Sequence, residues 1–215
     1  MFYNILDKKR LDLLPLFKEF KKDFYLAGGT ALALQIGHRD SIDFDFFSEQ
    51  DINTKKLFEQ LREIFKKHTL LNIQEELNTL TVLVDDFIKI SFFTHKYHLI
   101  QERVDDDENL SLASIEDIAC MKLLAITGRA SNKDYIDLYF ILKNLSLLNL
   151  LEKAYIKYPE LERNLILKSL VYFEDITQEK ILFKNNNDVD FEKIKEMLRN
   201  EVKKVQILPN PLDMK

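Results

Sequence analysis

The sequence predicts an α+β fold: a mixed β-sheet with flanking helices, followed by a helical C-terminal region. Three observations lead there. Phe24 to Ala27 reads as a short strand that runs through Gly28-Gly29 into a short helix. Three β-like runs separated by turn residues lie between residues 70 and 93. From about Asp105 onward nearly every segment repeats its apolar residues at helical spacing.

In chain order, Leu11 to Phe20 has helical periodicity, with Pro15 confined to a first turn or marking a kink. After the strand and glycine turn, Thr30 to Ile36 reads as a short helix that Gly37 closes. Ile42 to Phe46 alternates strictly and predicts a strand. Thr54 to Lys67 is amphipathic, with Leu57, Phe58, Leu61, Ile64 and Phe65 on one side. Leu70 to Glu75, Leu80 to Val84 and Phe87 to Phe93 are strand-like, joined by turns at Asn78-Thr79 and Asp85-Asp86. Asp105 to Glu108 is an acidic loop, and the domain boundary is placed there, dividing residues 1–104 from 105–215. Ser114 with Asp117, and Ser131 with Asp134, match the capping-box pattern and start helices at about Ile115 and Asn132. Further helices are expected over Leu147 to Lys157, Glu160 to Phe173 and Phe191 to Val205, before a proline-broken tail at Pro209 and Pro211.

Composition narrows the class. With 215 residues, 46% of them hydrophobic and 31% charged, the chain can bury a sizeable core. Its one cysteine, Cys120, lies in an apolar helical pattern, so it reads as a buried thiol and rules out a disulfide framework. No apolar run approaches the ~20 residues of a membrane span, and the N-terminus lacks a signal-peptide core, so the expected location is the cytoplasm. The net charge of −5 argues against a protein that coats nucleic acid by bulk electrostatics. Basic residues do cluster locally, as at Lys55, Lys56, Arg62, Lys66 and Lys67, which leaves an RNA substrate open.

Three of the four glycines fall at Gly28, Gly29 and Gly37. A glycine turn ahead of a helix N-terminus receives anions, because the free amides and the positive dipole end face the ligand. Thr30 reads as the N-cap, with a hydroxyl able to meet a phosphate oxygen. Twelve residues on, the alternation of Ile42-Asp43-Phe44-Asp45-Phe46 puts Asp43 and Asp45 on one face and the apolar side chains on the other. Two like charges on one face call for a cation between them, and oxygen ligands at that spacing suit Mg²⁺ or Mn²⁺. A phosphate cradle beside a divalent-metal site is what nucleotidyl transfer requires.

Gly28-Gly29-Thr30 followed by Asp43-Phe44-Asp45 resembles the signature of the polymerase-β-like nucleotidyltransferase superfamily. The longer string from Ala27 to Phe47 is similar to the AbiEii/AbiGii-type nucleotidyltransferase toxins, as is Leu112 to Ile126 with Arg129, Lys133, Asp134, Asp137 and Leu138. The resemblance covers roughly residues 20 to 143. It implies a nucleotidyltransferase-like fold, with residues 1–104 as the α/β core and the helical domain contributing to the active-site cleft. It also implies an NTP substrate, transfer of NMP to an acceptor hydroxyl, an RNA acceptor such as tRNA, and a cognate antitoxin.

Under this resemblance Asp43 and Asp45 hold the metal, Gly28, Gly29 and Thr30 receive a phosphate, and Lys122 and Asp134 are catalytic. Lys122, Arg129 and Lys133 neutralise the triphosphate. Arg39 either binds a nucleotide phosphate or pairs with a carboxylate such as Asp40. Asp134 has a second reading as the capping-box acid, although it shares a helix face with Asp137. His38 reads as a surface or helix-end residue. The superfamily's third carboxylate is expected in Phe87 to Phe93, where Ser91 stands instead and shares the outer face with Lys89. That departure keeps open a catalytically inactive nucleotide-binding module, while the net acidity and the last third of the chain, outside the resemblance, leave open a small-molecule or protein acceptor.

Overall fold

The computed structural model describes residues 1–106 and 108–207. The expected proline-broken tail and Asp107 of the acidic loop lie outside the described residues. The chain forms two compact units, one of Met1–Ser114 with Phe183–Asn185, the other of Ile115–Leu182 with the chain from Asn186 onward.

The first unit is built on a mixed sheet, seven-stranded among the described residues. The strands are β1 (Tyr25–Ala27), β2 (Phe44–Ser48), β3 (Leu70–Glu76), β4 (Thr79–Val84), β5 (Ile88–Thr94), β6 (Val104–Asp105) and β7 (Ser111–Leu112). They lie in the order β3-β4-β5-β2-β1-β7-β6. β3, β4 and β5 form an antiparallel meander, β5 pairs in parallel with β2, and β1 runs antiparallel to β2. The meander's turns take left-handed conformations at Asn78, Asp85 and Asp86, which Asn and Asp tolerate best after glycine. β6 and β7 extend the sheet at the β1 edge, so the compact division falls after Ser114 while the boundary expected from composition stands at Asp105.

One sheet face carries the core. Phe44, Phe46, Ile90 and Phe92 alternate inward from β2 and β5. Buried in the same unit are Leu57 and Leu61 of helix α3 (Thr54–Ile64), Phe65 just beyond it, and Phe17 and Phe20 of a 3-10 helix over Leu14–Phe20. Phe17 packs edge-on against Phe44 and Phe46 at 4.7 and 5.2 Å, and Phe20 against Phe92 at 5.2 Å. Such pairs add about 0.5–1.5 kcal/mol beyond area burial. The helix expected over Leu11 to Phe20 is two pieces: α1 (Lys8–Leu13) ends, and the 3-10 helix restarts with Pro15 in its first turn. The missing proline N–H costs nothing there.

The second unit is helical: α4 (Ile115–Gly128), α5 (Asn132–Ile141), α6 (Leu147–Lys157), α7 (Arg163–Val171) and α8 (Phe191–Ile207). Ser131 and Ser146 cap α5 and α6, accepting from Lys133 N and Asn149 N. Ile118, Ala119, Leu123 and Ile126 of α4 are buried, and α4 packs on α5, α6 and α7. A wholly buried ion pair, Lys157 Nζ to Asp117 Oδ1 at 2.7 Å, ties the end of α6 to the first turn of α4. Cys120 is buried beside it, as expected, and burial followed by the Asp117 charge pushes its thiol up to about 12.

Candidate active site

The turn from β1 into helix α2 (Gly28–Ile36) is shaped around one acidic and one basic side chain. Gly28 has φ +71°, and a Cβ there would sit 3.3 Å from Asp45 Oδ2. A Cβ on Gly29 would lie 2.6 Å from Arg39 Nη2, so the space freed by that glycine is filled by a guanidinium. The α2 N-cap is Ala27, which supplies no side-chain cap, so the first-turn amides have no acceptor from that residue.

Thr30 differs from its expected role. It lies inside the helix, and its hydroxyl contacts Ser41 Oγ at 2.7 Å and donates to the carbonyl of Asp43. Its work is to fix the loop that delivers Asp43. Arg39, only 2% exposed, donates to the Asp40 carbonyl at 2.9 Å, while the Asp40 carboxylate pairs with Lys184 Nζ at 3.1 Å. Arg39 thus contacts Asp40 through that residue's backbone carbonyl. His38 follows the end of α2 but is fully buried, so the surface reading is corrected.

Asp45 is the second residue of β2 and is in register with Ala27 on β1 and Ser91 on β5. Asp43 precedes the strand. Ile42 is 53% exposed and not the inward residue expected, because its carbonyl is turned to accept Arg10 Nε at 2.7 Å. Asp43 Oδ2 meets Lys89 Nζ at 3.0 Å, and both side chains are about two-fifths exposed at 39% and 42%. Ile88, Ile90 and Phe92 are buried, so Lys89 and Ser91 share the outer face as expected. Ser91 is itself buried, 3.4 Å from Thr81 Oγ1.

These residues fit a divalent cation. Two carboxylates, one of them beside the side-chain-free backbone of Gly28, offer hard oxygen donors. No group of three His, Cys, Asp or Glu side chains able to hold a metal occurs among the described residues, so the remaining ligands there would be phosphate oxygens and water.

A second polar cluster lies in the helical unit. Lys122 of α4, 9% exposed, meets Asp134 Oδ1 at 2.7 Å and Asp137 Oδ2 at 2.8 Å. The two aspartates sit at i and i+3 on α5, which brings them to one face. Lys122 is thus the buried counter-ion of two carboxylates. Asp134 is not a capping-box acid: its carboxylate turns to Lys122, and its buried Oδ2 has no hydrogen-bond partner among the described residues. Lys133, expected on the triphosphate, is bound to Glu179 across a connection distant in sequence, which no local pattern signals. Arg129 is exposed after the end of α4. The Lys157–Asp117 pair also escaped sequence reasoning, since its partners are forty positions apart.

The chain matches a family model described as the nucleotidyl transferase AbiEii toxin of type IV toxin–antitoxin systems, over residues 16–209. It is 38% identical over 190 residues to an uncharacterized protein of Aquifex aeolicus (strain VF5), covering 84% of this chain and 87% of that protein. Its fold resembles that of JHP933 from Helicobacter pylori, with a TM-score of 0.57 at 19% identity, over 94% of this chain and 95% of that one. It also resembles MenT4, a nucleotidyltransferase toxin from Mycobacterium tuberculosis H37Rv, with a TM-score of 0.58 at 14% identity, over 93% and 83% of the two chains. The extent of the family match, joined to the glycine turn and the aspartates it presents, places this chain in the AbiEii nucleotidyltransferase toxin family.

Proposed function

We propose that this nucleotidyltransferase moves NMP from an NTP to a hydroxyl of an RNA, tRNA being the acceptor the resemblance implies. It would act in the cytoplasm as the toxin of a toxin–antitoxin pair. The observation that carries the reading is the packing of Gly28 against the Asp45 carboxylate, beside an α2 N-terminus without a side-chain cap. The helix terminus proposed to receive a phosphate then lies beside the start of β2, which carries the carboxylates proposed to bind the metal. The description of the matching family supports the toxin role and an antitoxin partner.

In this reading Asp43 and Asp45 hold Mg²⁺ or Mn²⁺, whose charge when bound offsets that of the triphosphate and raises the electrophilicity of the α-phosphorus. Thr30 fixes the Asp43 loop. Gly28 and Gly29 present backbone amides to a phosphate, and the guanidinium of Arg39 lends positive charge at the same turn. The acceptor oxygen bonds to the α-phosphorus, the α–β bridging P–O bond breaks, and pyrophosphate departs. The hydroxyl proton passes to a carboxylate, and Asp134, with one oxygen lacking a hydrogen bond, is the proposed acceptor. Arg129 is proposed to offset charge on the departing pyrophosphate, and Lys122 can do so only by sharing its ammonium with Asp134 and Asp137. Lys133 can join them only by leaving Glu179.

Incubation of the purified protein with Mg²⁺, each α-labelled NTP and total RNA tests the reading. Label in an RNA species is expected; label appearing only in protein or in small molecules would overturn the RNA acceptor.

A further inference from the structure

We propose that Lys89 is a phosphate-binding residue held in reserve on Asp43, and that it couples metal binding to nucleotide binding. The inference rests on the reading of Asp43 and Asp45 as the metal-binding pair. Lys89 projects from β5 on the outer face, two positions before Ser91, which is the register partner of Asp45. Its ammonium therefore stands on the same face as both carboxylates and occupies Asp43 Oδ2 at 3.0 Å.

A tethered monovalent cation on one of two neighbouring carboxylates offsets their repulsion when nothing else does. The same oxygen is the one a divalent cation needs, and the two positive charges exclude each other there. The ion pair is half-exposed on both sides, so it is screened and gives way readily. Once displaced, the ammonium swings on a flexible four-carbon stem, and the new negative charge brought to this face is the triphosphate. Metal without nucleotide must then compete with Lys89, whereas metal with nucleotide gives Lys89 a second anion.

The test is Mn²⁺ binding, by titration calorimetry or electron paramagnetic resonance, with and without a non-hydrolysable NTP analogue, in wild type, Lys89→Met and Lys89→Arg. Lys89→Met is expected to bind Mn²⁺ alone about tenfold more tightly and the analogue about tenfold more weakly, the scale of one charge-assisted contact. Lys89→Arg should retain the wild-type coupling. Both substitutions are at a half-exposed position, and circular dichroism checks the fold. Unchanged affinities in Lys89→Met would make the pair a static surface salt bridge and overturn the inference while leaving the nucleotidyl-transfer reading intact. Failure of wild type to bind either Mn²⁺ or the analogue would overturn that reading, and this inference with it.

Discussion

Asp45 and Ser91 stand in register on the adjacent parallel strands β2 and β5, so the residue beside the second carboxylate of the pair is a hydroxyl. An Asp in place of Ser91 would put a third carboxylate against Asp45 at a position only 2% exposed. Without metal, Ser91→Asp should lose about 1–3 kcal/mol, from burial of an uncompensated charge. Added Mn²⁺ should restore the loss. Thermal melts with and without Mn²⁺ measure both effects, and a melt indifferent to the ion would mean that this face is not a metal site.

Lys122 is bonded to two carboxylates in a nearly dry setting. Lys122→Met should therefore cost about 3–5 kcal/mol of folding stability, because Asp134 and Asp137 are left without their counter-ion. Adding Asp137→Asn should recover part of that cost, giving a double-mutant coupling of the same pair. Urea unfolding of the three variants provides the numbers.

Asp134 and Asp137 should separate by role. Asp137 is fully buried, so Asp137→Asn should lower stability more than Asp134→Asn, in which Lys122 keeps Asp137 as its counter-ion and the fold survives but transfer is lost. Equal transfer rates in wild type and a folded Asp134→Asn would assign Asp134 to the α4–α5 ion cluster alone.

The glycine turn gives a contrast between neighbours. Gly28→Ala forces a side chain into φ +71° and against Asp45 Oδ2, and should cost about 1–3 kcal/mol. Gly29→Ala meets side-chain ends, the Arg39 guanidinium and Ser41 Oγ, at a backbone conformation open to alanine, so its stability loss should be smaller, with the larger effect on nucleotide affinity as the guanidinium is displaced. Melting temperature and nucleotide titration distinguish the two.

The Cys120 thiol titrates from an ordinary value of 9.0 up to about 12 in the folded protein. Between those values the unfolded chain loses a proton that the folded one keeps, so stability falls as pH rises through that window. Below pH 9 this residue adds no slope. Iodoacetamide at pH 8 should label Cys120 only after unfolding; rapid labelling of the native protein would contradict its burial.

Much of this was legible in local pattern. The alternation of Phe44, Asp45 and Phe46, the turn residues at Asn78 and Asp85-Asp86, and the serine ahead of α5 all act over a few residues, where sequence spacing and geometry coincide. The exceptions share a cause in contacts between distant segments. Ile42 faces out because Arg10 takes its carbonyl, Lys133 turns to Glu179, and Asp134 abandons its cap for Lys122. The Lys89–Asp43 pair was half-visible, since alternation puts Lys89 and Ser91 on one face but does not name the strand that lies beside them. Likewise the glycine spacing marked a tight turn into a helix without showing that Arg39 fills the space over Gly29.

The most direct test of the central claim is the rate of NMP transfer to RNA by wild type, Asp43→Asn and Asp45→Asn, at saturating NTP with and without Mg²⁺ or Mn²⁺. Both variants should remain folded, since these side chains lie on the outer face, and transfer should fall by at least about 10²-fold, as when a major stabilising group is removed. Wild type without divalent metal should be as inactive as the variants. Transfer by Asp45→Asn at the wild-type rate, or wild-type transfer with the metal chelated, would contradict the account.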